Sequence, residues 1–95
     1  VTFGAEPIGE SRIRLVNLRS ESGHAIRVER WTVEPPGIVT VVPIEPAGNA
    51  QALELKCRFA SGDLTTRVLL MGSRSDGARF SVRLETRSYG LPSAK

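Results

Sequence analysis

The sequence has very few residues of the kinds on which chemical sites usually depend. It contains one cysteine, Cys57, and one histidine, His24, among 95 residues. A single cysteine excludes an intramolecular disulfide and a zinc site made from several thiolates of this chain. A lone histidine with scattered carboxylates is a poor set of metal ligands, and the sequence has neither a phosphate-binding glycine loop nor a calcium-loop pattern. We therefore predict no metal site, no cofactor and no catalytic residue.

One short segment resembles a nucleophile with its base. Ser22 and His24, with Glu21 beside them, carry the right groups for such a pair. Residues this close together in one loop rarely hold the geometry that catalysis needs, so we expect His24 to be an exposed loop residue. The chain is predicted not to be an enzyme, and an activity that disappears in His24→Ala would contradict this.

Aromatic residues and long apolar runs are also scarce. Three phenylalanines, one tryptophan and one tyrosine leave the core to be built mainly from aliphatic side chains. No run of about 18 apolar residues is present, so the sequence predicts no membrane-spanning helix and no insertion into a membrane. The chain starts at Val1 rather than at methionine and shows no signal-peptide pattern, and we expect a processed product or a module of a longer protein.

Residues that favour chain reversal divide the sequence into short segments. Clusters of glycine, proline, aspartate and asparagine recur at intervals, and the segments between them are about 6–12 residues long, which is the length of strands. Apolar and polar residues alternate within the segments, which places one face of each strand on a core and the other in water. The residues that this alternation predicts to face the core are Ile13, Leu15, Ile26, Val28, Leu53, Leu55, Cys57, Phe59, Phe80, Val82 and Leu84.

The clearest strand pair is a hairpin near the C-terminus. Residues 68–71 and 80–84 form its strands, with Asp76-Gly77 as the turn. The whole pattern predicts an all-β, immunoglobulin-like antiparallel β-sandwich of about seven strands over residues 1–90, followed by a flexible C-terminal tail over 91–95. Trp31 resembles the core tryptophan of immunoglobulin domains, although the disulfide against which that residue usually packs is absent.

Several short motifs resemble a known bacterial family. The pairs Phe3-Gly4 and Gly9-Glu10, followed by Ile-Arg-Leu-Val-Asn at 13–17, are similar to the opening of domain of unknown function 1573, and 42–48 resembles its turn before the fifth strand. That family is similar in turn to the Hydin-like immunoglobulin domains. The resemblance implies an extracytoplasmic setting (secreted, periplasmic or cell envelope), often as one module of a larger chain, and no defined activity. The family's Cys-Gly-Cys element has no counterpart in residues 31–37, so its redox or metal role does not carry over.

Positive charge comes almost entirely from arginine. The net charge is +3, and eleven of the thirteen basic residues are arginines. If Arg12 and Arg14 on one strand face the same way as Lys56 and Arg58 on another, they form a ladder suited to phosphate, sulfate or carboxylate ligands. The alternative is that these side chains pair with glutamates on neighbouring strands. Specific nucleic-acid binding is disfavoured, because no stacking aromatic residues are interleaved with these positions.

Two further residues are candidates for contact. Trp31 beside Arg30, ahead of a Pro-Pro-Gly turn, has the composition of a hot spot for protein or glycan binding, and a core position is the alternative for the tryptophan. Cys57 alternates in phase with Leu55 and Phe59, so we expect it to be a small buried hydrophobic residue rather than a reactive thiol.

These features predict a non-catalytic structural or protein-interaction module of a larger secreted or envelope protein. Its partners would be neighbouring domains of the same chain or another protein, with no small-molecule substrate. The alternative is an anionic ligand-binding domain, for polysaccharide or nucleic acid, that uses an arginine-rich sheet face. Salt separates the two, because binding to a polyanion weakens steeply as salt rises. The candidate contact residues are Trp31, Arg30, Arg12, Arg14, Lys56 and Arg58.

Overall fold

A computed structural model describes residues 1–45 and 48–92, and this part of the chain is all-β. Seven strands form two sheets, as the turn spacing predicted. Within the described residues there is no helix of a length and apolarity that would cross a membrane. The strands are β1 (Thr2–Pro7), β2 (Ser11–Arg19), β3 (Ile26–Glu34), β4 (Val39–Pro43), β5 (Ala50–Arg58), β6 (Gly62–Arg74) and β7 (Arg79–Leu91).

The two sheets have the strand orders β1-β7-β6-β3 and β2-β5-β4. This is the arrangement of an immunoglobulin-like sandwich in which the first strand joins the sheet of the last strand, instead of lying with the second and fifth. As a result β1 runs parallel to β7, while the other four strand pairs are antiparallel. The first strand is therefore the one departure from the predicted antiparallel pairing.

The longest element is the β6–β7 hairpin, which was predicted from its turn. Its register runs from Gly62 opposite Gly90 to Ser73 opposite Arg79. At the turn, Gly77 has a φ of 90°, and the Asp76 carboxylate accepts a hydrogen bond of 3.1 Å from the Ala78 backbone N–H. Glycine tolerates this left-handed conformation because it has no Cβ. The Asp-Gly turn and the strand pairing are both confirmed.

Most of the predicted core residues are buried where the two sheets meet. Cys57 is among them with no exposed surface, as expected from its phase in β5. Burial raises the pKa of the Cys57 thiol, and a hydrogen bond with Ser88 partly opposes the rise. The fully or almost fully buried apolar residues are Phe3, Ile26, Val28, Val39, Val41, Leu53, Leu55, Cys57, Phe59, Val68 and Leu70.

The predicted orientation of β2 is wrong. Ile13 is 48% exposed and Leu15 is 67% exposed, whereas Val16 and Leu18 pack against the core. Both phases of this strand contain apolar residues, so alternation alone does not choose between them. The register with β5 decides, because it places Leu15 opposite outward-facing Glu54. A shift of one residue exchanges the two faces of a strand.

A β-bulge changes the phase of β3 and determines the place of Trp31. The register shifts between Val28 and Arg30, so the inward residues change from Ile26 and Val28 to Trp31 and Val33. Trp31 lies opposite the buried Leu70, yet 38% of it is exposed because β3 is an edge strand. Trp31 is therefore not a fully buried core tryptophan, and its role in contact stays a prediction.

The predicted ends of the domain are partly outside the described residues. Leu91 was assigned to the C-terminal tail, but it belongs to β7 and lies opposite Pro7. Pro92 follows the strand and is exposed; residues 93–95 of the predicted tail are outside the described residues, as are residues 46–47 of the predicted turn before β5. Strand β7 thus continues one residue beyond the predicted domain boundary at 90.

Candidate functional site

The predicted basic ladder on β2 and β5 does not form. Arg12 lies opposite Cys57 and Arg14 lies opposite Leu55. The side chains of both arginines therefore leave the backbone on the inner face of the three-stranded sheet. Lys56 and Arg58 alternate with those buried residues and face outward. The prediction that the four side chains share one face is therefore wrong, and it fails for the same reason as the predicted orientation of β2.

Arg12 instead ties the first strand to the second. Its Nη1 donates a hydrogen bond of 2.8 Å to the Phe3 carbonyl, and its Nη2 forms an ion pair with Glu6. Strands β1 and β2 belong to different sheets, so this half-buried side chain links the two layers. The Phe3 carbonyl lies at a register shift next to Gly4, whose φ is 85°. Arg12 is thus engaged in structural contacts.

The other predicted contact residues are spread over separate surfaces. Arg14 is exposed, and Lys56 and Arg58 lie on the outer face of the three-stranded sheet. Arg30 faces outward from the four-stranded sheet opposite Met71, whereas Trp31 points to the inner side. The six candidates therefore do not make one site, and two other surfaces have a clearer organisation.

The first of these is an apolar surface on the three-stranded sheet. Leu15, Glu54 and Val42 form one cross-strand row, with the two apolar residues on the edge strands. Val42 is 47% exposed, and Ile13 and Ile44 lie nearby with 48% and 38% of their surface exposed. Exposed apolar side chains gathered on one face are typical of protein contact surfaces.

Strand β2 is also the least interrupted edge of the described sandwich. It pairs with β5 over nine consecutive residues with no register shift, and it contains neither proline nor glycine. The other edges are interrupted: β1 by a shift and Pro7, β3 by its bulge, and β4 by its short length and Pro43. Bulges, prolines and short strands are the devices that prevent edge pairing.

The edge of β3 has an additional cap that the sequence pattern did not reveal. Gln51 is 1% exposed and lies on β5, yet its Oε1 accepts a hydrogen bond of 3.1 Å from the Val28 backbone N–H of the opposite sheet. Its Nε2 donates to the carbonyls of Ile44 and Ala52 at 2.6 and 2.9 Å. Gln51 is in phase with the buried residues of β5, which was the available signal for its burial.

The second organised surface is the outer face of the four-stranded sheet. Six arginines face outward here, and they divide into two regions. Near the far end of the β6–β7 hairpin from its turn, Arg67 lies between Glu34 and Glu85, and Arg87 lies 3.6 Å from Asp63. The arginines of this face are Arg27, Arg30, Arg67, Arg79, Arg83 and Arg87.

The region nearer the turn carries arginines without intervening carboxylates. Arg30, Met71 and Ser81 form one cross-strand row, and Arg79 and Arg83 flank Ser81 on β7. We call Arg30, Arg79 and Arg83 the arginine triangle. The ion pairs found within residues 1–45 and 48–92 all involve other arginines. The triangle was not predictable from the sequence, because it depends on the pairing of three strands.

The serine and histidine of the β2–β3 loop do form a hydrogen bond. Ser22 Oγ lies 2.7 Å from His24 Nδ1 and 2.7 Å from Ser20 Oγ. Ser22 and His24 are both exposed, so water competes for each partner, as predicted for His24. No group of three or more metal-binding side chains is found in the described parts of the chain. The loop therefore holds a serine–histidine hydrogen bond like that between a nucleophile and its base, but both side chains are exposed to solvent.

Comparison of the chain with protein-family models, curated proteins and solved structures gives no significant match. The resemblance to domain of unknown function 1573 stays a prediction.

Proposed function

We propose that this chain is a non-catalytic protein-contact module of a larger secreted or envelope protein, and that its contact surface is the edge of β2 with the apolar surface beside it. The observation that carries the proposal is the exposure of Ile13 and Leu15 on an uninterrupted edge strand. The motifs similar to the bacterial family favour the extracytoplasmic setting.

The partner that fits this edge is an extended segment of another polypeptide. A strand added to β2 would form backbone hydrogen bonds, and alternate side chains would provide specificity. On the outer face its side chains would have to be apolar to cover Ile13 and Leu15. On the inner side they would be acidic, because Arg14 is exposed and absent from the ion pairs of the described residues.

Charge also favours a different chain over a second copy as the partner. An antiparallel copy centred on Leu15 would place Arg14 opposite Val16 and bring the two Arg14 side chains onto a diagonal about 7–8 Å apart. Centring on Arg14 would place the two arginines directly opposite each other. An acidic strand removes this repulsion and replaces it with attraction.

Two synthetic peptides test this proposal. Both match the nine residues of β2 in length, one alternating valine with glutamate and the other valine with lysine. We expect the glutamate peptide to shift the NMR signals of β2 amides, and the lysine peptide to bind at least about tenfold more weakly because its charge is reversed.

Matched variants identify the surface. Leu15→Lys should abolish binding of the glutamate peptide, whereas Ile8→Lys should leave it unchanged, because Ile8 is similarly apolar and 44% exposed but lies in the β1–β2 turn. Equal binding of the two peptides, or equal effects of the two variants, would overturn the proposed contact surface.

The cellular setting has a separate test. An immunoblot of fractionated source cells should detect a polypeptide much larger than 10.3 kDa in the envelope or the medium. A cytosolic species near 10.3 kDa would contradict the proposal that the chain is a module of an extracytoplasmic protein.

A further inference from the structure

The arginine triangle points to a second binding site, on the other sheet from β2. We propose that Arg30, Arg79 and Arg83 bind an anionic polysaccharide, with its carboxylate or sulfate groups distributed over the three guanidinium groups. This site is independent of the proposed strand-binding edge, because the triangle lies on the outer face of the four-stranded sheet.

The register of three strands determines the shape of the triangle. Arg79 and Arg83 are four residues apart on β7, a separation of about 13 Å between their backbones. Arg30 lies in the row of Ser81 and two strands away from it, at about 10 Å. The three positive charges are therefore spread over an open, nearly flat area, which matches a chain with several anionic groups better than one small anion.

The charges of the triangle are available to a ligand. All three arginines are exposed, and none takes part in the ion pairs of the described structure. Glu29 is exposed in the bulge beside Arg30 and flanks one corner, and Glu85 lies two residues from Arg83 on the same face of β7 and flanks another. Arg27, at the margin of the triangle, lies 3.9 Å from Glu45 and is left out of the site. Guanidinium groups that keep their donors free bind carboxylate and sulfate in a bidentate manner.

The floor of the triangle favours a polysaccharide over a nucleic acid. Met71 and Ser81 occupy its centre and offer an apolar thioether and a hydroxyl. Proteins that bind single-stranded nucleic acid combine basic grooves with exposed aromatic rings on which bases stack. The described aromatics next to the triangle in sequence are Trp31 and Phe80, and both point to the opposite side of the sheet. Sugar rings and hydroxyls require no such stacking.

The test compares two triple variants that lose the same charge. The first variant removes the triangle through Arg30→Gln, Arg79→Gln and Arg83→Gln. The second removes three exposed charges from the three-stranded sheet through Arg19→Gln, Lys56→Gln and Arg58→Gln. Binding of a heparin oligosaccharide is measured by calorimetry at several salt concentrations. We expect the first variant to bind at least about tenfold more weakly, the second to change by about twofold or less, and the affinity of the unmodified chain to fall as salt rises.

Several outcomes would overturn the proposal. Equal losses in the two variants would show that the ligand responds to net charge alone. Affinity that does not change with salt, or equal affinity for inorganic sulfate, would exclude an extended polyanion bound by three arginines. A duplex DNA that binds as tightly as the oligosaccharide would assign the triangle to nucleic acid. Far-UV circular dichroism should confirm that both variants are folded, as expected for exposed positions.

Discussion

The two outer faces of this sandwich differ in the side chains that they expose. The four-stranded sheet exposes arginines, which are balanced by carboxylates around Arg67 and unbalanced in the arginine triangle. The three-stranded sheet exposes Leu15, Ile13 and Val42 on its two edge strands, with Glu54, Lys56 and Arg58 facing outward on the strand between them. Because the two surfaces lie on different sheets, a polypeptide strand and a polyanion would not compete for the same residues. The difference is why we propose two separate kinds of contact for one small fold.

The largest expected effect is the difference in unfolding free energy between truncating a buried leucine of β5 and truncating the exposed leucine of β2. Leu55→Ala should cost about 2–5 kcal/mol of unfolding free energy, because Leu55 is fully buried between Arg14 and Val41 in the sheet. Leu15→Ala should change it by less than about 0.5 kcal/mol. Urea unfolding of both variants measures the difference, and similar costs would mean that β2 faces the other way.

Removal of the amide that joins the sheets should have the next largest effect. Gln51→Leu keeps the volume but leaves the Val28 N–H and the Ile44 carbonyl without this partner, which should cost about 2–3 kcal/mol. Asn17→Leu is the matched control, since Asn17 is an exposed amide on β2. If the two substitutions cost the same in urea unfolding, Gln51 does not hold the layers together.

Substitution of two neighbouring arginines of β2, Arg12 and Arg14, should change the unfolding free energy by different but smaller amounts. Arg12→Met should destabilise the fold by about 1–2 kcal/mol, because the Phe3 carbonyl and Glu6 lose a charged partner. Arg14→Met removes an exposed charge and should change the unfolding free energy by less than about 0.5 kcal/mol. Thermal unfolding of the two variants compares them, and a reversed order would contradict the role of Arg12 in joining β1 to β2.

The smallest effect is the pH dependence of the hairpin turn. Hydrogen bonds from the Ala78 N–H and from Arg74 lower the pKa of Asp76. A lowered pKa means that the stabilisation is complete above the unfolded value of about 3.9 and is lost as pH falls through the folded value. Asp76→Asn should therefore lose less stability than the unmodified chain as the pH falls below about 4. If the unfolding free energies of Asp76→Asn and the unmodified chain depended on pH in the same way, the Asp76 carboxylate would not stabilise the turn.

The buried face of a strand could be predicted from the sequence only where apolar residues occupy one of its two alternating sets of positions. In β5 the residues Leu53, Leu55 and Cys57 alternate with charged ones, so the buried face was predicted correctly. In β2 both phases contain apolar residues, and the pairing with β5 chooses between them. The shared face of Arg12 and Arg14 with Lys56 and Arg58 depended on β2 and failed with it, whereas the role of these residues in contact stays a prediction.

Features that join distant segments were not predictable from local patterns. The bulge in β3 turns Trp31 toward the inner side of the sheet, and no residue pattern in the sequence marks the bulge. The arginine triangle needs the register of β3, β6 and β7 together, and the role of Gln51 needs the position of the opposite sheet. The turn residues, in contrast, act through their own backbone, and Asp76-Gly77 was recognised directly.

The most direct test of the account is hydrogen exchange at β2 in two states. Amide exchange of residues 11–19 is compared between the isolated chain and the native protein purified with its natural partners. If β2 receives a partner strand, the amides that point away from β5 should be protected at least about tenfold more in the native assembly, while the exposed β4 edge stays unchanged. Equal exchange of β2 amides in the two states would contradict the proposed contact.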